Sequence, residues 1–243
     1  MNNKVLFSCD AIYFQKYGIY NVLSCNNTEN AVHAHIINPD QTCKELVDDL
    51  KSYCNIDFTF SYEYKNFSNY NQYQIKSYYY IRRFYIAKNE LKNLNCVLIT
   101  DADVIFNKKI NFNLKLGLQY IPKNEGLWRK TSAAVVFVHR DYINFLEKVL
   151  NEYEKQIKNI DYSVLDTNVD KLTKGNLVGL DQVCLTKVIE SDYVDDKNFI
   201  NLYQNRKIIS KRQNEADIWI LVGNKHTIDF KSMFLDYYNR SSD

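Results

Sequence analysis

The sequence predicts an α/β fold with a mostly parallel, mixed sheet that is flanked by helices. Short apolar runs alternate with longer segments in which apolar residues recur at helical spacing, which is typical of βαβ units. Hydrophobic residues make up 46% of the 243 residues, enough for a sizeable core, and charged residues make up 25%. No internal repeat, low-complexity tract or linker interrupts this pattern, so we expect a single domain over residues 1–243.

The first half of the chain alternates predicted strands and helices. Short apolar runs predict buried strands over residues 4–9, 31–37 and 56–60, and a further strand that begins at residue 96. Apolar residues at helical spacing predict helices over residues 43–54 and 72–93. In the first of these helices the spacing is that of Leu46, Val47, Leu50 and Tyr53.

The second half has fewer regular elements. Residues 107–130 are predicted to be a polar connection, and residues 159–180, which contain two glycines, a long loop that could close as a lid. Apolar runs predict strands over residues 132–139, 199–203, 207–210 and 218–222. Helical spacing predicts helices over residues 141–158, 181–191 and 230–238.

Two carboxylates follow the strongest apolar run. Asp101 and Asp103 come after residues 96–100, with one small residue between them. Side chains two apart in an extended segment point the same way, so both should face the carboxyl end of the sheet, where ligands bind. Two anions against an apolar wall are unstable unless a cation joins them, and a hard divalent ion that bridges to phosphate fits. The structural alternative is a pair of exposed turn aspartates.

The helix before this strand carries an arginine near its apolar face. A stripe of apolar side chains is predicted to face the core, formed by Tyr80, Phe84, Ala87 and Leu91. Arg83 lies at the edge of that stripe, and an arginine there needs an anionic partner, such as one of the two carboxylates or a phosphate. The alternative is a surface arginine whose stem is buried.

Four other residues can take part in a site or have a structural role. Asp10 and Tyr13 follow the first strand, where they can bind a base or ribose, or can cap and pack. Asp181 opens a predicted helix and is equally suited to capping it. His226 follows a late strand and is either a third metal ligand or a structural histidine. His33 and His35 carry no metal-site pattern, so we expect them to be structural.

Charge and cysteine content exclude several classes of protein. The net charge of +2, with both signs mixed along the chain, argues against a nucleic-acid binder or an anionic-membrane binder. The six cysteines form no C-x-x-C pair, so we expect reduced, mostly buried thiols. No apolar run reaches the roughly 20 residues of a membrane span, and no signal peptide is evident. We therefore expect a soluble cytoplasmic protein that can dock at the periphery of a membrane.

Five short segments occur in an order that matches a known family. They are residues 7–13 (Phe-Ser-Cys-Asp-Ala-Ile-Tyr), 80–84 (Tyr-Ile-Arg-Arg-Phe), 99–104 (Ile-Thr-Asp-Ala-Asp-Val), 132–137 (Ser-Ala-Ala-Val-Val-Phe) and 179–182 (Gly-Leu-Asp-Gln). Together they resemble GT-A-fold glycosyltransferases. The resemblance is strongest to the family-8-like group, which includes glycogenin and bacterial lipopolysaccharide galactosyltransferases.

The resemblance implies a metal-dependent glycosyltransferase, and a hexosyltransferase in particular. Its donor would be a nucleotide-diphosphate sugar, most simply a UDP-sugar, and its acceptor a glycan, a lipid-linked molecule or a protein. The transfer would retain the anomeric configuration. The implied roles are Mn²⁺ or Mg²⁺ binding for Asp101, Asp103 and His226; donor binding for Asp10, Tyr13, Arg83, Asp101 and Lys231; and contact with the transferred sugar or acceptor for Asp181 and Gln182.

Two alternatives belong to other functional classes. In a haloacid-dehalogenase-like phosphatase Asp101 would be a nucleophile, and Asp195 with Asp196 would form the second acidic pair. A non-catalytic module on a transferase fold would bind a sugar nucleotide or carbohydrate without transferring it. A nucleotidyltransferase is disfavoured, because no glycine-rich phosphate loop lies near the N-terminus.

Overall fold

A seven-stranded mixed sheet forms the centre of the protein. The computed structural model describes residues 3–160, 171–204, 209–210 and 217–220. The strands of its two sheets are β1 (Asn3–Asp10), β2 (Val32–Ile37), β3 (Phe58–Glu63), β4 (Cys96–Thr100), β5 (Val104–Phe106), β6 (Leu116–Tyr120), β7 (Thr131–His139), β8 (Phe199–Asn201), β9 (Ile209–Ser210) and β10 (Ile218–Ile220). The large sheet has the order β3-β2-β1-β4-β7-β6-β8, and in it β7 alone runs opposite to the other strands.

A small second sheet adjoins the large one just after the two aspartates. Its order is β5-β10-β9, with β5 antiparallel to β10 and β9 parallel to it. Only three residues, 101–103, separate the end of β4 from the start of β5, so this segment lies at the junction of the two sheets.

Helices cover both faces of the large sheet. They are α1 (Ala11–Tyr13), α2 (Ile19–Asn27), α3 (Gln41–Tyr53), α4 (Gln72–Glu90), α5 (Leu127–Lys130), α6 (Ile143–Ile157), α7 (Lys171–Val178) and α8 (Leu180–Asp192), with a π-helical turn over Phe14–Gly18. On β1, Val5 and Phe7 face the core that contains α2 and α3, whereas Leu6 faces the core under α4, α6 and α8. This alternation is the period of two that a strand buried on both faces requires.

The order of strands and helices agrees with the predicted α/β fold, but four segments differ from the sequence-based expectation. Residues 11–27 are helical, residues 116–120 form β6, residues 127–130 form α5, and residues 171–178 form α7. The last two lie in segments predicted to be a connection and a loop, where polar residues and glycines weakened the periodic signal.

The predicted core stripe of α4 also needs a correction. Tyr80 is 39% exposed, and Ile81 is buried in its place. Phe84 and Ala87 are buried as predicted. The predicted helix over residues 230–238 and the ends of two late strands, residues 207–208 and 221–222, lie outside the described residues. None of the helices within the described ranges combines the length and hydrophobicity that a membrane span needs.

Candidate functional site

A cavity of about 1360 Å³ opens at one edge of the large sheet. The carboxyl ends of β1, β4 and β6 meet the first residues of β7 there, because β7 runs the opposite way. The first half of α4 and the start of α8 complete the walls. Six residues that the sequence predicts for the site line this cavity, namely Asp10, Tyr13, Arg83, Asp101, Asp181 and Gln182.

Arg83 is the central side chain of the cavity. It is only 4% exposed, and its guanidinium binds two carboxylates from distant parts of the chain. Nη1 donates to Asp101 Oδ1, and Nη2 donates to Asp181 Oδ2 at 2.9 Å. Burial by itself would lower the pKa of Arg83, but the two carboxylates outweigh it and raise the pKa. The expectation that Arg83 pairs with a carboxylate is confirmed.

Asp181 is buried near the start of α8, and one of its two carboxylate oxygens accepts no hydrogen bond from the described residues. Its side chain is 3% exposed, and its Oδ1 atom has no hydrogen-bond partner among the described residues. Burial raises the pKa of Asp181, and the nearby carboxylate of Asp101 adds to that effect. Asp181 is not the cap of α8, because Gly179 occupies that position. An unsatisfied buried acceptor at a cavity wall is a place where a ligand hydroxyl can bind.

The segment with the aspartate pair is a turn and not an extended strand. The strand β4 ends at Thr100, and Asp101 is held by its backbone, because its amide donates to the Ala134 carbonyl at 3.1 Å. Asp103 is 1% exposed and does not line the cavity. The expectation that this segment is extended is therefore wrong, because the chain turns there to enter β5.

Asp103 nevertheless binds a hydroxyl group from the wall of the cavity. The Tyr13 hydroxyl donates to Asp103 Oδ2 at 2.8 Å. Burial raises the pKa of Tyr13, and the negative charges of Asp103 and Asp101 both add to the rise. Tyr13 thus lies near both carboxylates, between the buried Asp103 and the cavity.

The donor set fits a hard divalent cation. Mg²⁺ in proteins is commonly held by one or two carboxylates together with substrate phosphates and water, and Asp101 and Asp103 supply carboxylate oxygens of this kind. Within the described residues, no group of three His, Cys, Asp or Glu side chains could hold a metal without such help. His226 and Lys231, the other residues predicted for the metal and the diphosphate, lie outside the described residues.

Asp10 has a clear structural role at the mouth of the cavity. Its Oδ1 accepts from the backbone amide of Tyr13 at 2.7 Å, which caps the helix that follows β1. Asp10 also lines the cavity, so its capping role is compatible with a nucleotide contact, which stays a prediction.

Gln182 and Trp128 form one corner of the cavity. With the Gln182 amide nitrogen directed at the backbone, it donates to the carbonyls of Trp128 at 2.5 Å and Thr131 at 3.0 Å. A methyl group at Gly175 would lie 2.1 Å from Trp128 Nε1, so α7 and the indole can pack together only with glycine there. In this orientation Gln182 joins the start of α8 to the backbone of Trp128 and Thr131.

Sequence reasoning missed several residues of this cavity. Gln72, Lys76 and Tyr79 line it together with Arg83, at the spacing of one helical stripe. The helical spacing from Arg83 is visible in the sequence and predicts that these three residues share its face of the helix. Lys76 and Arg129 are exposed cations that have no ion pair with another described residue, so both are available to an anionic ligand.

The acidic pair needed for the phosphatase alternative is not at the cavity. Neither Asp195 nor Asp196 is among the lining residues, and the carboxylate of Asp196 accepts from the Tyr142 hydroxyl at 2.9 Å. The six cysteines are all free thiols, as expected, and five of them are buried.

Comparisons with protein-family models and with curated protein sequences find no match. Among solved structures, the glycosyltransferase GlyE of Streptococcus pneumoniae TIGR4 is similar over 99% of this chain, at 12% sequence identity and a TM-score of 0.52. Its apo form is similar over 99% of the chain, at 13% identity and a TM-score of 0.54. The chain spans 64% of the length of each. At such low identity the likeness concerns the fold, and in fold this chain is similar to these glycosyltransferases, which confirms the predicted α/β class.

Proposed function

We propose that the protein is a metal-dependent glycosyltransferase of the family-8-like type. It transfers a hexose from a nucleotide-diphosphate sugar, most simply a UDP-sugar, to a hydroxyl group of a glycan, lipid-linked or protein acceptor. The proposal includes retention of the anomeric configuration. The observation that carries it is the pairing of buried Arg83 with Asp101 and Asp181 beside Asp103, at the carboxyl end of the sheet.

The charges of this group favour a divalent cation. Asp101 and Asp181 share the guanidinium of Arg83, and the carboxylate of buried Asp103 follows two residues after Asp101. Three carboxylates and one guanidinium leave a formal excess of two negative charges. Buried charges need partners, and a doubly charged ion beside a diphosphate balances this group. Lys76 and Arg129 on the cavity wall add positive charge for the phosphates.

The residues of the chain have distinct roles in this proposal. Asp101 and Asp103 would hold Mn²⁺ or Mg²⁺, with His226 as a further ligand and Lys231 on the diphosphate. When bound, the ion neutralises charge on the departing diphosphate and fixes its position. Arg83 binds both Asp101 and Asp181 and so keeps the two carboxylates at a set separation.

The sugar would lie against the start of α8. The unpartnered Oδ1 of Asp181 can accept a hydrogen bond from a hydroxyl of the transferred sugar or of the acceptor. Gln182 contributes beside it, since it lines the same wall. Asp10 and Tyr13, which follow the body of β1 and line the cavity, would bind the base or ribose of the donor.

Turnover of UDP-sugars with Mn²⁺ tests this proposal. UDP release would be measured with UDP-glucose, UDP-galactose and UDP-N-acetylglucosamine, and thermal shifts with UDP and Mn²⁺ would report binding separately. Asp101→Asn and Asp103→Asn should each reduce turnover at least about a hundredfold, because each removes a charged ligand of the ion. Asp195→Asn, an exposed aspartate away from the cavity, is the matched control and should leave turnover unchanged.

The outcomes separate the alternatives. Full activity in Asp103→Asn would refute the metal assignment. Binding of UDP without any release from the three donors would favour the non-catalytic module. Phosphate release from an aryl phosphate that depends on Asp101 would favour the phosphatase.

A further inference from the structure

A second cavity of about 580 Å³ adjoins the main one at the β8 edge of the sheet. The two cavities share two wall residues, Ile121 and Tyr203. A ligand that starts beside Asp181 can therefore continue past Tyr203 without leaving the surface of the protein. We call the joined space the β8 groove, defined by the shared residues and by the walls of the second cavity.

The second cavity has an apolar surface with few charges. Tyr203 is 49% exposed and Val194 is 47% exposed, although both are large side chains that usually bury more of their area. Pro122 and Phe199 also line this cavity, and among the wall residues that the structure describes Lys123 alone is charged. Large apolar side chains that remain exposed beside a cavity mark a binding surface.

Tyr203 is held in place by the backbone around it. Asn201 Oδ1 accepts from the amide of Tyr203 at 3.1 Å and from the amide of Tyr120 at 3.0 Å. Asn201 Nδ2 donates to the Tyr120 carbonyl at 2.6 Å. These bonds tie the turn after β8 to β6 and so fix the backbone from which Tyr203 lines the groove.

We propose that the β8 groove binds the distal part of an oligosaccharide acceptor with two or more sugar units. The acceptor hydroxyl would lie beside Asp181, and the following units would pass over Tyr203 into the second cavity. This inference rests on the proposed glycosyltransferase function. A pyranose ring has an apolar face and a polar rim, and it matches a half-exposed aromatic ring among aliphatic side chains. A peptide strand would instead extend β8, which is only three residues long.

Binding of labelled glycans of increasing length tests the groove. The probes would be mono- to pentasaccharides of glucose, galactose and N-acetylglucosamine, offered to the full chain with UDP and Mn²⁺ present. We expect at least one disaccharide or longer glycan to bind about tenfold more tightly than its monosaccharide, because the second cavity adds contacts.

Substitutions identify the part of the groove that is responsible. Tyr203→Ala should weaken binding of that glycan about tenfold, Tyr203→Phe should retain most of it, and Val194→Asp should weaken only the longer glycans. Tyr64→Ala, which removes a 67% exposed tyrosine away from both cavities, is the matched control and should bind like the original chain.

Several results would overturn the inference. They are equal affinity for monosaccharides and longer glycans, no glycan binding at all, an unchanged affinity in Tyr203→Ala, or binding of labelled peptides in place of glycans. The thermal shift with UDP and Mn²⁺ reports on the donor half of the cavity. A normal shift with any of these results contradicts the groove alone, whereas no shift contradicts the proposed function.

Discussion

At the scale of single residues, Arg83 determines the arrangement of the cavity. One guanidinium joins Asp101, at the end of β4, to Asp181, in the first turn of α8. Removing it would leave two carboxylates close together in a site where Asp181 is almost wholly buried. The free-energy cost of an unpaired buried charge is much larger than the contribution of an exposed ion pair.

Arg83→Met should therefore lower the free energy of unfolding by about 3–5 kcal/mol, measured by urea denaturation. Lys88→Met is the matched control on the same helix, because Lys88 and Glu147 form an ion pair in which both side chains are at least one-third exposed. That control should cost no more than about 1 kcal/mol. Equal losses in the two variants would show that the buried pairing is not important for stability.

Tyr13 has the other decisive contact at this scale. Its hydroxyl satisfies one oxygen of buried Asp103. Tyr13→Phe should lower the free energy of unfolding by about 2 kcal/mol without added metal, because the carboxylate loses a donor. Mn²⁺ with UDP should then raise the melting temperature of Tyr13→Phe more than that of the original chain. A smaller rise in the variant would mean that the hydroxyl assists the ligand.

At the scale of elements, a chain of hydrogen bonds joins β1, β2 and β3. Glu63 is a carboxylate that can only accept, so His35 Nε2 must donate to it, and His35 Nδ1 then accepts from Ser61. The Ser61 oxygen in turn accepts from His33 Nε2, and His33 Nδ1 accepts from Thr59. Neutral imidazoles satisfy every donor and acceptor in this chain, which agrees with the expected structural role of both histidines.

The pH dependence of stability follows from this chain. Burial lowers the pKa of His33 to about 4, and the charges of His35 and Lys4 add to the shift, while Asp57 opposes it. Burial also lowers the pKa of His35, although Glu63 opposes that shift. Because the unfolded chain binds the proton near pH 6.5 and the folded chain does not, stability is complete above that pH and is lost as the pH falls toward 4.

Urea unfolding at several pH values measures this loss. Between about pH 7.5 and 5.0 the original chain should lose about 2 kcal/mol more stability than His33→Gln, which cannot bind the proton. His139→Gln, at the end of β7 and 24% exposed, is the matched control and should follow the original chain. Identical pH profiles for His33→Gln and the original chain would contradict the assignment.

At the scale of the whole molecule, the two cores bury nearly all of the thiols. Cys54 is half-buried, and the other five cysteines are buried. Burial raises the pKa of Cys54 to about 11, so even this thiol should react slowly. With an aromatic disulfide reagent under native conditions, Cys54 should react first and the others only as the chain unfolds. Cys54→Ser should abolish the first phase, and a second thiol that reacts before the chain unfolds would contradict the packing.

Local patterns in the sequence were sufficient for part of this description. The short apolar runs of β1 and β2 and the helical spacing in α3, α4 and α6 identified the α/β fold, because both patterns depend on neighbouring residues alone. The same reasoning placed Arg83 beside an anion and selected Asp101 for the site, whereas the role of Asp181 came from the resemblance to GT-A-fold glycosyltransferases. Local patterns missed β6, a short strand that Gly117 and Gln119 interrupt, and α7, which is rich in polar residues and contains Gly175. These two elements pack against β7 and Trp128 respectively.

The sequence by itself determined the fold class and most of the cavity's residue types. Only the tertiary structure decided that Arg83 joins two carboxylates, one of them 98 residues away along the chain, and that the aspartate pair lies on a turn with Asp103 behind Tyr13. It also joined Tyr203 to the cavity through β8. The physical reason is that periodicity reports on local conformation, whereas contacts between distant residues depend on how sheets and helices pack.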